Sequence, residues 1–176
     1  ILADASAIIS KGEVLQLMNE GEPETSLADY LEVITAKTAA LFAAACELGA
    51  VVANAGPKQE AALRDFGLYV GIAFQLMDDV LDYAAKQETL GKTVGDDFRE
   101  GKVTLPVILA FAAGDASERA FWQRTMGQLN QQPSDLAEAQ RLLNQHNAIE
   151  KSMDVATDYC DKARAALAPF APSPAK

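Results

Sequence analysis

Apolar residues recur at helical spacing along nearly the whole chain, and no stretch alternates apolar and polar over a strand's length. Residues 1–19 read as one amphipathic helix, stopped by the breaker GEPE at 21–24. Ser26 stands where a cap is needed, ahead of Leu27, Leu31, Ile34, Thr38, Leu41, Ala45 and Leu48 on one stripe. Ala-rich stretches such as AALFAAACELGAVVA favour helix and let neighbouring helices come close. Gly56-Pro57 breaks the chain again, and the periodicity predicts a third helix from about Lys58 to about Lys86. The stretch ETLGKTVGDDFR, 88–99, carries glycines and polar groups and reads as a loop. A helix over about 101–113 follows, with Pro106 kinking it or lying in its first turns, and further helices are predicted near 116–130, 134–145 and 147–168. The ending APFAPSPAK reads as extended. The pattern predicts a single all-α domain over 1–168 with a Pro/Ala-rich tail at 169–176, and no internal repeat.

The third predicted helix carries GIAFQLMDDVLD, 71–82, with three aspartates in an otherwise apolar run. At about 100° per residue, with Gln75 at zero, Asp78 falls near about −60°, Asp82 near about −20° and Asp79 near about +40°. The strongly polar side chains thus share one arc. Leu68, Val70, Ile72, Phe74, Leu76, Met77, Val80 and Leu81 fill the rest of the wheel. That is the reverse of a surface helix and predicts a buried one whose polar arc faces a cavity. Like charges at this spacing repel, and near a helix C-terminus they also oppose its dipole. A solvated acidic edge is the plain reading. A bound cation would offset both penalties, and an oxygen-only ligand set without nearby Cys or His suits Mg²⁺. Lys37 lies beside the apolar stripe of the preceding helix, where a lysine can simply snorkel to water. Lys92, Arg99 and Lys102 follow the acidic run and form a candidate anion clamp. Gly91-Lys92-Thr93 resembles part of a P-loop, but that motif needs Gly at 86, where Lys86 stands.

Composition narrows the partners. The 176 residues are 49% hydrophobic and 23% charged, as in a globular domain. A net charge of −10 argues against nucleic acid or an anionic membrane surface. No apolar run approaching the ~20 residues of a transmembrane helix is expected. Two cysteines, Cys46 and Cys160, make no metal pattern and suggest a reducing, cytoplasmic setting. The lone His146, among polar neighbours, reads as an exposed helix or loop residue. The opening helix has neither an initiator Met nor a cap, so the sequence reads as part of a longer protein.

GIAFQLMDDVLD, followed by LGKTVGDDFREGKVTLPVILA, resembles the C-terminal half of a trans-polyprenyl diphosphate synthase. The first stretch is similar to that family's second aspartate-rich motif, D-D-x-x-D, and the second to its G-K-x-x-G-x-D-x-x-x-G-K-x-T-L-P run. SKGEVLQL and Lys37-Thr38 are similar to family signatures in the same order, so the resemblance covers roughly residues 8–112. In texture it is closest to the long-chain synthases that supply ubiquinone side chains. The resemblance implies part of an isoprenoid-synthase-type helical bundle, usually a homodimer, joining isopentenyl diphosphate to an allylic diphosphate with Mg²⁺. It implies that Asp78 ligates metal directly, with Asp79 and Asp82 acting directly or through water. Lys37, Lys92 and Lys102 would bind the allylic diphosphate, Gln75 would orient it, and Thr38 would sit beside the reacting carbons. No D-D-x-x-D precedes Asp78, so the first aspartate-rich motif and the isopentenyl diphosphate site are expected outside this sequence, as is chain-length control. A non-catalytic relative or subunit of the same fold is the alternative.

Overall fold

The computed structural model describes residues 1–84 and 95–173. Among them the order is α1 (Leu2–Asn19), α2 (Leu27–Ile34), a π turn (Thr35–Ala39), α3 (Ala40–Val52), α4 (Pro57–Ala84), α5 (Asp96–Glu100), α6 (Leu105–Ala113), α7 (Ala116–Trp122), a second π turn (Gln123–Gly127), α8 (Asp135–Gln145) and α9 (Ala148–Ala166), with no strand among the described residues. The all-α expectation holds. The described residues gather into two compact units interleaved along the chain.

The first unit comprises Ile1–Leu15, Leu31–Gln75 and the described part of Val155–Lys176. Its interior is built from small residues: Ala36, Ala39, Ala43, Ala44, Ala50, Ala62 and Ala73 are all buried. Glycines let the backbones meet. A Cβ on Gly12 of α1 would lie 2.5 Å from the Lys37 backbone nitrogen, one on Gly71 of α4 2.6 Å from the Ala39 Cα, and one on Gly67 would collide with the Phe42 carbonyl. The second unit comprises Gln16–Tyr30 and the described part of Leu76–Asp154. Large side chains fill it: Tyr83, Phe98, Val107, Phe111, Trp122, Met126, Leu142 and Leu143 form one buried cluster.

Local signals account for most boundaries. Ser26 Oγ accepts from the Asp29 N–H at 3.1 Å, the expected cap of α2. Pro106 sits in the first turn of α6, where its missing N–H costs nothing. Asp115 and Glu118 close a reciprocal capping box on α7.

Five expectations change. The predicted continuous helix from Ser26 is interrupted by the π turn at Thr35–Ala39, where the Ala40 N–H reaches the Thr35 carbonyl five residues back. Residues 96–100 of the expected loop are the short helix α5, flanked by Gly95 and Gly101 at φ 83° and 71°; 88–94 lie outside the described residues. Helix α4 is not buried all round, since Phe74 and Leu81 are exposed at 55% and 38%. His146 is not exposed: its Nε2 lies 2.8 Å from Glu118 Oε2, because α8 ends there against α7. Finally, Leu27–Val52 is long and apolar enough to cross a membrane by length and composition, contrary to the sequence reading. The core helix of a soluble protein passes the same test, and here glycine backbones at Gly12, Gly67 and Gly71 pack closely against this segment.

Candidate active site

Two polar clusters stand out, one in each unit. In the second unit, α4 delivers Asp78, Asp79 and Asp82 one turn before its end at Ala84. Asp79 is buried, at 1% exposure. Its Oδ2 accepts the Tyr30 hydroxyl proton at 2.6 Å, and its Oδ1 lies 3.4 Å from Lys102 Nζ. Lys102 also donates to Asp97 Oδ1 at 3.0 Å. Burial alone would pull the Lys102 ammonium down, but Asp79 and Asp97 override it and hold it well above the ordinary lysine range. Burial pushes the Asp97 carboxyl up, with Lys102 opposing and Asp82 and Asp78 adding to the rise. Asp82 faces the start of α5. Its Oδ1 and Oδ2 accept the N–H groups of Asp96 at 3.2 Å and Asp97 at 3.1 Å, and its own carbonyl accepts from Gly95 at 2.9 Å. Burial raises the Asp82 carboxyl, and those backbone N–H groups pull it back down. Burial, and then Asp79 beside it, keep the Tyr30 hydroxyl protonated far into the alkaline range.

The three aspartates of the shared arc therefore divide. Asp79 holds a buried tyrosine and a lysine, Asp82 caps a helix, and Asp78 is half-buried on the same turn. Among the described residues, no three Asp, Glu, His or Cys side chains converge as a ready-made metal cage.

In the first unit, the π turn carries both Lys37 and Thr38. The Thr38 hydroxyl donates to Gln75 Oε1 at 2.9 Å, so two predicted site residues meet directly. Lys37 Nζ lies 3.2 Å from Glu13 Oε2, with the two side chains 34% and 51% exposed. A π turn within a helix adds a residue to one turn and re-aims the side chains it carries, and such turns concentrate at functional sites. Lys92 lies outside the described residues.

Sequence reasoning missed Tyr30, Asp97 and Glu13. Asp97 was signalled by the D-x-x-x-G-K run that ends at Lys102, and Glu13 by SKGEVLQL. Tyr30 lies 49 residues from its partner and had no local signal.

The all-helical scaffold matches solved polyprenyl synthases. A polyprenyl synthase from Caulobacter crescentus, solved with calcium and isoprenyl diphosphate, superimposes with a TM-score of 0.94 at 52% identity, over 98% of this chain and 52% of that one. A decaprenyl diphosphate synthase from Rhodobacter capsulatus gives 0.92 at 47% identity, over 98% and 53%. The octaprenyl diphosphate synthase of Haemophilus influenzae is 44% identical over 163 residues, 93% of this chain and 49% of the relative. The family model for polyprenyl synthetase matches residues 1–143, and the chain belongs to that family. It spans about half the length of the curated relatives it matches, 49% and 51% of the first two.

Proposed function

We propose that the chain carries part of the active site of a trans-polyprenyl diphosphate synthase, a transferase that joins isopentenyl diphosphate to an allylic diphosphate and makes a long-chain polyprenyl diphosphate. The observation that carries the reading is the crowding of carboxylates at the end of α4. Asp78, Asp79, Asp82, Asp96 and Asp97 outnumber the cations Lys102 and Arg99 among the described residues there. A protein accepts such crowding where a cation is to be bound. The donors are all oxygen, which fits Mg²⁺. Mg²⁺ takes one or two carboxylates and completes its shell with water and substrate phosphates, so a full protein cage is not required. The Caulobacter relative was solved in complex with calcium and isoprenyl diphosphate, which supports the same chemistry.

Asp78 is assigned as the direct metal ligand, with Asp82 acting through bound water. Asp79 works through Lys102, whose two contacts with Asp79 and Asp97 leave its third N–H for a phosphate oxygen. On the family resemblance, Lys37 and Lys92 are also assigned to bind the allylic diphosphate. Gln75 orients the group, held by the Thr38 hydroxyl. Mg²⁺ supplies charge neutralisation on the leaving diphosphate. In the reaction the allylic C–O bond breaks, the alkene of isopentenyl diphosphate attacks the cation, and a proton is lost. Thr38 is assigned to stabilise that cation through its hydroxyl and backbone carbonyl oxygens. We further assign the enzyme to the cytoplasm as a water-soluble homodimer, a reading supported by the free thiols Cys46 and Cys160 and by the family's habit.

The test is Asp78→Ala in the full-length enzyme. It is expected to weaken Mg²⁺-dependent pyrophosphate binding and to slow turnover, with unfolding midpoints unchanged or raised because repulsion is relieved. A sharp loss of metal-free stability with Mg²⁺-dependent binding intact would refute the assignment.

A further inference from the structure

We propose that Gly12 and Glu13 of α1 are positioning residues for Lys37, seating the π turn and directing its ammonium group. The inference rests on the reading of Lys37 as a diphosphate ligand. A π turn forfeits regular i→i−4 bonding, so it persists only where its surroundings select it. Here glycine backbones press on it from two helices. A Cβ on Gly12 would stand 2.5 Å from the Lys37 backbone nitrogen and 2.9 Å from the Ala36 carbonyl carbon, and one on Gly71 2.6 Å from the Ala39 Cα. The nearest atoms met are backbone atoms of the turn itself, which no rotamer change can move aside. Any side chain at position 12 must shift α1 against the turn that sets the direction of Lys37, or displace the turn itself.

The neighbouring residue supplies the second contact. Glu13 Oε2 lies 3.2 Å from Lys37 Nζ. A pair this exposed contributes little to stability, so its consequence is orientation: it restricts a side chain that otherwise samples many rotamers. The competing explanation is ordinary close helix packing. Gly67 provides the internal comparison, since its Cβ would collide with the Phe42 carbonyl, beyond the turn.

The experiment is a double-mutant cycle in the full-length synthase, read as the dissociation constant for inorganic pyrophosphate with Mg²⁺ by calorimetry. Lys37→Ala alone should weaken binding. Gly12→Ala should weaken it about fivefold or more in the parent and less than about twofold in the Lys37→Ala background, because the two act through one group. Gly67→Ala should change binding equally in both backgrounds. Equal losses for Gly12→Ala in both backgrounds, or no loss in either, overturn the proposal. Should Gly12→Ala fail to fold, Glu13→Gln decides by the same cycle. A loss of about twofold or more that vanishes without Lys37 supports the proposal, and any other pattern overturns it. The underlying reading fails separately: in that case Lys37→Ala itself binds pyrophosphate like the parent, and both claims fall together.

Discussion

Tyr30 gives its hydroxyl hydrogen to a carboxylate that is 1% exposed, and the same carboxylate faces Lys102 on its other oxygen. Removing either partner strands a buried polar atom. Tyr30→Phe leaves Asp79 Oδ2 one donor short, which costs about 1–3 kcal/mol. Asp79→Ala leaves Lys102 with Asp97 alone, and breaking a buried pair this way typically costs about 3–5 kcal/mol. Urea unfolding of the full-length enzyme should therefore rank Asp79→Ala as most destabilising, Tyr30→Phe next, and Asp78→Ala least. An Asp79→Ala protein as stable as the parent but deaf to Mg²⁺ would restore Asp79 as a metal ligand. The helical wheel could not make this distinction. It groups side chains by azimuth, so Asp78, Asp79 and Asp82 fell together. What separates them is a tyrosine from another helix and the backbone of α5, neither visible in a local window.

At the level of elements, what the sequence made legible was what local chemistry decides. Ser26 and Gly56-Pro57 marked helix boundaries because capping and proline sterics act within a few residues, whereas the helix expected from about 101 begins only at Leu105, with Pro106 in its first turn. The π turn at Thr35–Ala39 was not legible, because TAKTA has no local reason to leave α geometry; Gly12 and Gly71 press on it from distant parts of the chain. Helix α5 was hidden for a related reason. Its first N–H groups are capped by Asp82, fourteen residues upstream, in place of a side chain at Gly95. Asp82→Ala should thus cost about 1 kcal/mol by loss of a cap and speed amide exchange at Asp96 and Asp97. Unchanged exchange there would remove Asp82 from that role. The capping of α7 predicts a pH dependence. Asp115 is held below the usual carboxylate range, first by its bond from the Glu118 N–H, and Glu118 by its bond to His146. Both folded values are depressed. Their stabilisation is therefore complete above the ordinary carboxylate range near about 4 and is lost as pH falls through the lower folded values. Glu118→Gln should flatten that acid limb of the melting curve, and an unaltered limb would show that other carboxylates set it.

Across the whole molecule, charge and apolar surface point the same way. The described carboxylates of the α4 end come from α4 and α5 alone, and no D-D-x-x-D precedes Asp78. A leaving diphosphate needs its developing charge neutralised from several directions, and the alkene needs a site of its own. These 176 residues, expressed alone, are therefore expected to give no elongation product with saturating Mg²⁺, allylic diphosphate and isopentenyl diphosphate. Helix α1 exposes Ile8, Val14, Leu17 and Met18 at 45%, 56%, 65% and 70%, and Leu41, Val52 and Phe74 are exposed at 53%, 79% and 55%. Exposed aliphatic and aromatic side chains in these numbers favour self-association. Sedimentation velocity should show species that grow with concentration, and a separately produced N-terminal half of a close relative should both reduce that association and restore elongation. Elongation by the isolated 176 residues at a rate near that of an intact synthase would refute this division of labour. A monodisperse monomer would show that the exposed faces of α1, α3 and α4 tolerate water without a partner.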